Sequence, residues 1–282
     1  FFCYRSALVS FERAEKSRVT SPCFLYKRFH RPIFCSRKTP MEPLFFPWLV
    51  AKIEKNYVGC RRSGSPYIKE EIDSPQKPEF KLTFFNARGN AEMSRMILAF
   101  SGVPFEDSRI SFEEFQKMKQ ECRYTQLPML EWNGKKIYES SSIARMLAKM
   151  SNLAGENIFE QAQADSLIDV LKEFTTSISD YIEFLLGFRS GDEEIFYNEI
   201  LIPAVLKYFP VLEKTASESS SGFLLDSGVT YVDFELTNTV ETINNFHPSL
   251  LSGYPNLVAV AEHVYALPQL QSYFKNRPKT PL

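Results

Sequence analysis

Four short stretches of this chain offer backbone or side-chain groups able to hold a small charged molecule. Leu127–Pro128 sits in a tight loop before a strand-like run, a setting in which an X–Pro bond can take the cis form. It also reads as an ordinary turn proline. Glu139–Ser140 stands at a strand-to-helix junction. A Ser hydroxyl with free helix N–H groups suits a carboxylate there, and Glu139 suits an ammonium. On spacing alone Ser140 is only a helix cap. Asp169 and Glu173, four residues apart, share one helix face, which reads equally well as a solvated acidic surface. Lys119 and Gln126 precede the proline loop, and a lone lysine there is ordinarily a surface group.

Other chemistries find little support. His30, His247 and His263 are too dispersed for a metal cluster or a Ser-His-Asp arrangement, and the last two fit packing or solvent faces. Cys3, Cys23, Cys35, Cys60 and Cys122 follow no zinc or redox spacing, and one late thiol cannot staple the body. A reducing compartment is expected. No glycine-rich dinucleotide loop is present.

The 282 residues suit two domains of ordinary size, and 44% hydrophobic against 24% charged residues is enough for real cores. Aromatics reach 14%, led by 25 Phe, which favours dense packing or a pocket for flat ligands. Residues 1–40 hold nine Lys/Arg against two Glu, whereas residues 81–282 hold 18 Lys/Arg against 26 Asp/Glu. An acidic body repels phosphates, so nucleic acid is not an expected partner. The longest strongly apolar run, Leu44–Ala51, is too short for a bilayer, and no membrane span is expected.

The chain opens on Phe1, and its first Met is Met41. Residues 1–40 show no helical or strand period. Their Arg surplus faintly suggests an organellar transit peptide, against which stand Glu12 and Glu15. The favoured reading is an upstream piece of conceptual translation, with the protein starting at Met41. Leu44–Ile53 could dock as a short anchor, and the Ser-, Gly- and Pro-rich Gly59–Pro78 reads as a solvated linker. Residues 1–79 are therefore expected to be a largely irregular extension and linker.

From Phe80 the pattern becomes regular. Lys81–Phe85 is a strand by β-branched and aromatic content. Asn90 is a candidate N-cap for a helix stopped at Gly102. Phe105–Ile110 alternates as a second strand, and Ser111 with Glu114 forms a capping box for a short helix through Lys119. Asn133–Gly134 between MLEW and KKIY signals a hairpin, after which Ser140 or Ser141 caps a helix. The order β-α-β-α-β-β-α is thioredoxin-like, without the redox CxxC. Beyond Gly155 every pattern is helical. Residues 160–187 read as one long helix and Glu193–Lys214 as another, followed by a serine-rich loop at Ser217–Ser221. Thr230-x-x-Asp233, flanked by Val229 and Phe234, is a capping motif with a hydrophobic staple. Pro255–Ala266 and Gln269–Phe274 finish the set.

KLTFFNARGNAEMSRMILAFSGVPFEDSRI, QLPML, YESSSIARMLA, AQADSLIDVLKEF, GVTYVDFELT and RPKTPL occur here in an order and spacing that resemble cytosolic glutathione transferases, in the sigma-like, nematode-type group. The resemblance spans about Phe80–Leu282. It implies a thioredoxin-like glutathione-binding domain at 80–154 and an all-α domain at 155–282. It also implies a homodimer, glutathione as co-substrate with no metal or other cofactor, and a cytoplasmic role in detoxification.

By the same resemblance, the γ-glutamyl end of glutathione falls to Glu139 and Ser140, and the other end to Lys119 and Gln126, with Phe115 where Trp is more common. Pro128 would be cis, and the backbone of Leu127 would pair with glutathione like an added strand. Glu173 would reach the partner subunit's glutathione. Phe84, Phe174, Ile178 and Tyr181 would line the pocket for a hydrophobic electrophile or lipid-like ligand. Phe84 is also the main departure, because the group carries Tyr there and its hydroxyl donates to the glutathione sulfur. Asn90 is a second, standing where relatives carry Arg. Asn86, two residues on, is a substitute donor if it shares the strand face. Two outcomes stay open: slow catalysis, or a non-catalytic, crystallin-like protein that binds glutathione or hydrophobic ligands or serves only as a structural homodimer.

Overall fold

Phe80, Leu82 and Phe84 alternate with Lys81, Thr83 and Phe85, so one face of the first strand is wholly apolar. A computed structural model describes residues 80–120 and 126–282, and the expectations for residues 1–79 and for Cys122 lie outside them. Strand β1 (Phe80–Phe85) runs parallel to β2 (Phe105–Ile110) on one side and antiparallel to β3 (Met129–Trp132) on the other. β4 (Lys135–Tyr138) closes the order β2-β1-β3-β4. The β3–β4 hairpin turns on Asn133 and Gly134, both at positive φ (49° and 76°), as an Asn-Gly pair readily does.

Helices α1 (Glu92–Phe100), α2 (Phe112–Met118) and α3 (Ser140–Met150) complete the first half. The Ser111–Glu114 capping box forms as expected, with Glu114 N–H donating to Ser111 Oγ at 3.1 Å and Ser111 N–H to Glu114 Oε2 at 2.7 Å. Two other expected caps do not. Asn90 lies inside a 3₁₀ turn (Gly89–Ala91) that feeds α1, whose cap position is Ala91. Ser140 is the first helical residue of α3, and Glu139 before it makes no side-chain cap bond. Tertiary packing sets these entry angles, so the nearest polar residue is not the cap.

The second half is all helical. Asn157 caps α4 (Ile158–Ser177), accepting from Phe159 and Glu160 N–H at 3.0 Å each. The single helix expected over 160–187 is broken at Ile178 (φ −97°, ψ 8°) and resumes as α5 (Ser179–Leu185). α6 (Glu193–Phe196) passes through a π turn (Tyr197–Leu201) into α7 (Ile202–Glu218). Pro203 has no N–H to give to the preceding turn, and Ile202 N–H bonds back to Tyr197. α7 absorbs Ser217, so the serine loop starts later than its composition suggests. Within Glu193–Glu218 an 18-residue window reaches a mean hydropathy of 1.3, which by length and composition alone could cross a bilayer, contrary to the expectation that no segment would. It is a core helix: Leu201, Val205, Phe209 and Leu212 are buried in the main core. α8 (Tyr231–Phe246), α9 (Pro255–Ala266) and α10 (Gln271–Asn276) follow, with a 3₁₀ turn (Pro268–Leu270) taking the start of the helix expected from Gln269.

One hydrophobic core runs from the sheet into the helices, and α8 packs against α1, α4 and α9. A buried polar network crosses the same boundary. Glu92 takes Arg95 at 3.2 Å, Arg277 at 2.5 Å and the Tyr273 hydroxyl at 2.8 Å. Arg95 continues to Asp107 at 2.8 Å, and Arg277 to Glu241 at 2.7 Å. Arg88, 1% exposed, donates to Asn238 Oδ1 at 2.7 Å and to the Pro281 carbonyl at 2.9 Å.

Asp233 of α8 is fully buried without a cation, and Glu235 on the same helix is half-buried with its Oε2 closed to water. Asp233 accepts Thr230 N–H at 2.7 Å and Leu224 N–H at 2.8 Å, and burial still pushes it up to about 6. Burial first, and then the Glu92 carboxylate, push Glu235 up to about 7.

Asp233→Ala removes both acceptors and should cost about 2–4 kcal/mol in urea unfolding, whereas Ser111→Ala, at an exposed cap, should cost no more than about 1 kcal/mol. Because the folded protein holds the Glu235 proton more tightly than the unfolded chain, this residue's contribution to stability is greatest below about pH 4.5. It falls as the pH rises to about 7. Glu235→Gln should therefore become progressively more stable than the native protein across that window, by roughly 2–3 kcal/mol at the top. Urea titrations at several pH values measure it.

Candidate functional site

The end of β1, α2 and the proline loop face α4, α5 and α8 across a cavity of about 570 Å³. Phe84, Phe115, Gln126 and Leu127 reach it from the sheet side, and Phe174 and Ile178 from the helices.

Phe84 holds the base of the cavity by packing alone. Its ring lies so close to Gly89 that a Cβ there would come within 3.0 Å, and Gly89 also has φ +42°. The Phe85 ring is steeply inclined to the Phe84 ring, with centroids 5.4 Å apart, and the Arg95 guanidinium lies 5.9 Å from the Phe84 ring centroid. A phenyl ring has no proton for a sulfur. Asn86 lies past the end of β1, so the strand-face argument for it fails, although it does line the cavity. Its Oδ1 accepts from Arg109 at 3.4 Å.

The polar anchors gather beside this apolar volume. The Leu127–Pro128 bond is cis. Gln126 Nε2 donates to Glu139 Oε1, joining the end of the proline loop to the β4–α3 junction. Glu139 stands at φ 70°, a conformation that costs a non-glycine residue about 1–3 kcal/mol. Ser140 follows as the first residue of α3, whose leading N–H groups receive no side-chain cap and whose dipole favours an anion. Lys119 is the C-terminal cap residue of α2. The junction can thus hold a carboxylate and an ammonium side by side.

Three expected residues stand apart: Lys119, which is not on the cavity wall, Tyr181 and Glu173. Tyr181 is 1% exposed and off the cavity wall; its hydroxyl bonds His247 Nε2, and burial pushes it up to about 12. Glu173 is exposed on α4, also off the wall, and accepts the Tyr208 hydroxyl at 3.3 Å. The wall contains residues that sequence reasoning missed: Glu235, Asn238, Thr239 and Thr242 of α8, and Phe112 and Phe188, which stay exposed. A run of polar residues inside an otherwise apolar helix was the available signal for α8.

The profile of the glutathione S-transferase N-terminal domain matches residues 80–149, and that of the C-terminal domain matches residues 178–277. The chain is 36% identical over 204 residues to glutathione S-transferase 1 of Ascaris suum, covering 72% of this chain and 99% of the relative. It is likewise 36% identical over 205 residues to probable glutathione S-transferase 5 of Caenorhabditis elegans, covering 72% and 98%. Among solved structures it is similar to a monomeric glutathione S-transferase of the hookworm Necator americanus, with 37% identity, a TM-score of 0.69, and coverage of 72% and 100%. With this fold and these matches over its whole described body, the chain belongs to the glutathione S-transferase family, in its nematode, sigma-like branch.

Proposed function

We propose that this protein binds glutathione beside Leu127–Pro128 and joins its thiolate to hydrophobic electrophiles, slowly, because Phe84 supplies no proton donor. The observation that carries the proposal is the Gln126–Glu139 hydrogen bond, which sets the polar anchors at the edge of an apolar cavity. In this reading Ser140 and the first N–H groups of α3 take the γ-glutamyl carboxylate and Glu139 takes its ammonium. Lys119 and Gln126 hold the far carboxylate over Phe115, and the backbone of Leu127 pairs with the cysteinyl amide. Residues 80–154 form the glutathione domain and residues 155–282 the helical one. Phe174 and Ile178 contact the electrophile. The protein acts in the cytoplasm as a homodimer in which Glu173 serves the partner's site.

A free thiol titrates near 8.5, so only a few per cent is thiolate at neutral pH. A hydrogen bond to a charged group is worth about 1.5–3 kcal/mol, and a donor to the sulfur would raise the thiolate roughly 10- to 30-fold, the upper end being where ionisation saturates. The phenyl ring at Phe84 also favours a second reading, that of a non-catalytic binder of glutathione or hydrophobic ligands.

Calorimetry with glutathione and conjugation to 1-chloro-2,4-dinitrobenzene, on the native chain and Phe84→Tyr, separate these readings. We expect similar glutathione affinity in both and a rate at least about tenfold higher in Phe84→Tyr. Equal, substantial rates would show that another donor already serves the sulfur, and undetectable binding in both would leave a structural protein. Ser140→Ala should weaken glutathione about five- to tenfold with little change in stability. Sedimentation velocity tests the dimer, and a monomer would remove Glu173 from the site.

A further inference from the structure

Glutathione conjugation leaves one group in the cavity wall without a task. Four polar side chains of α8 reach that wall, and three are satisfied locally. Asn238 accepts Arg88 at 2.7 Å and donates to the Gly89 carbonyl at 3.1 Å. The Thr239 and Thr242 hydroxyls donate to the backbone carbonyls of Glu235 and Asn238, at 3.0 and 2.9 Å. The fourth is Glu235, whose Oε2 is sealed from solvent and has no hydrogen-bond partner among the described residues. The other acidic residue of the wall, Glu183, faces Arg189 at 3.4 Å.

A carboxyl with one oxygen closed to water and unpartnered is costly to keep, and a ligand in the cavity that bonds its other oxygen, Oε1, recovers part of that cost. We propose that Glu235 sets the specificity of the second-substrate half of the cavity, donating its carboxyl proton to an acceptor oxygen, such as a ketone, enone or nitro oxygen, on an otherwise apolar ligand. This rests on the reading that the cavity takes the electrophile.

The surroundings favour a proton donor over a cation trap. Phe84, Phe174, Ile178 and Ile243 make the shared wall apolar, which suits the neutral acid. The nearby carboxylate of Glu92 repels a second negative charge, and burial pushes the same way. Glu92 itself engages Arg95 and Arg277, at 3.2 and 2.5 Å. A neutral carboxyl offers one O–H, and a carbonyl in an apolar pocket is its natural partner.

Benzophenone and diphenylmethane test this, because they share a shape and differ in one carbonyl, while benzhydrylamine brings an ammonium instead. Equilibrium binding of all three would be measured at about pH 6 on the full chain, Glu235→Gln and Glu235→Leu, below the range in which Glu235 ionises. Comparing ratios between proteins cancels the ligands' different transfer energies from water. The benzophenone-to-diphenylmethane preference should be about tenfold greater in the native chain than in Glu235→Leu, and Glu235→Gln, whose amide still donates, should keep most of it. The same ratio in all three proteins overturns the proposal. So does a preference for benzhydrylamine that vanishes in Glu235→Gln, since that marks an anionic carboxylate. Thermal melting checks folding, and Glu235→Met, unbranched, of similar length and without a donor, takes the place of the Leu variant if that one is unstable. Glutathione titration of the same proteins separates the two claims. Lost glutathione binding with an intact ratio sinks the transferase reading alone, and retained glutathione binding with an unchanged ratio sinks the Glu235 assignment alone.

Discussion

The contact between Arg95 and Glu92, both fully buried at the foot of α1, is what the rest of this molecule is arranged around. Neither charge could stay there alone, because taking an ion out of water costs several kcal/mol unless partners return most of it. The partners come from both halves of the chain: Asp107 from β2, Tyr273 and Arg277 from the C-terminal segment, and Glu241 one step further on α8. A network of this kind adds little net stability over a well-packed apolar core. Its geometric demand is the larger effect, since only one docking of sheet on helices satisfies every member.

That demand reaches the site directly. Arg95 also donates to the Ala87 carbonyl at 2.7 Å, and Arg88 N–H donates to the Leu282 carbonyl at 2.6 Å. The loop behind Phe84 is therefore held from two sides, with Gly89 pressed against the ring. The cavity wall at Phe84 is apolar and closely packed. α8 completes the arrangement, since its capping box is locked at one end while its middle supplies Asn238 to Arg88 and Glu235 to the cavity.

The apolar cavity and the polar junction are thus set separately in this fold. The junction of Gln126, Glu139 and Ser140 is fixed by the turn into α3 and by the proline loop, neither of which involves residue 84. The phenyl ring of Phe84 shapes the cavity without touching that junction, and the far wall is set by what α4, α5 and α8 present.

Local signals carried far into the structure. β-Branched and aromatic content placed β1, alternation placed β2, the Asn133–Gly134 pair placed the hairpin, and the Ser111–Glu114 and Thr230–Asp233 boxes opened their helices, because each depends on residues within a few positions of one another. The expected anchors at Gln126 and Glu139 do meet, and cis Leu127–Pro128 lies beside them. Other features depended on distant partners and could not be read locally. Asn90 and Ser140 do not cap, because the helix entry angles are set by packing. The helix break at Ile178 puts Tyr181 on His247 and away from the cavity. The helical wall of the cavity and the burial of Arg88 and Arg95 exist only once segments some 150 residues apart are side by side. Strand period, turn chemistry and capping act through covalent neighbours, which a sequence lists in order. The desolvation of a charge and the lining of a cavity are set by whatever the rest of the chain brings against them, and that was decided by the fold.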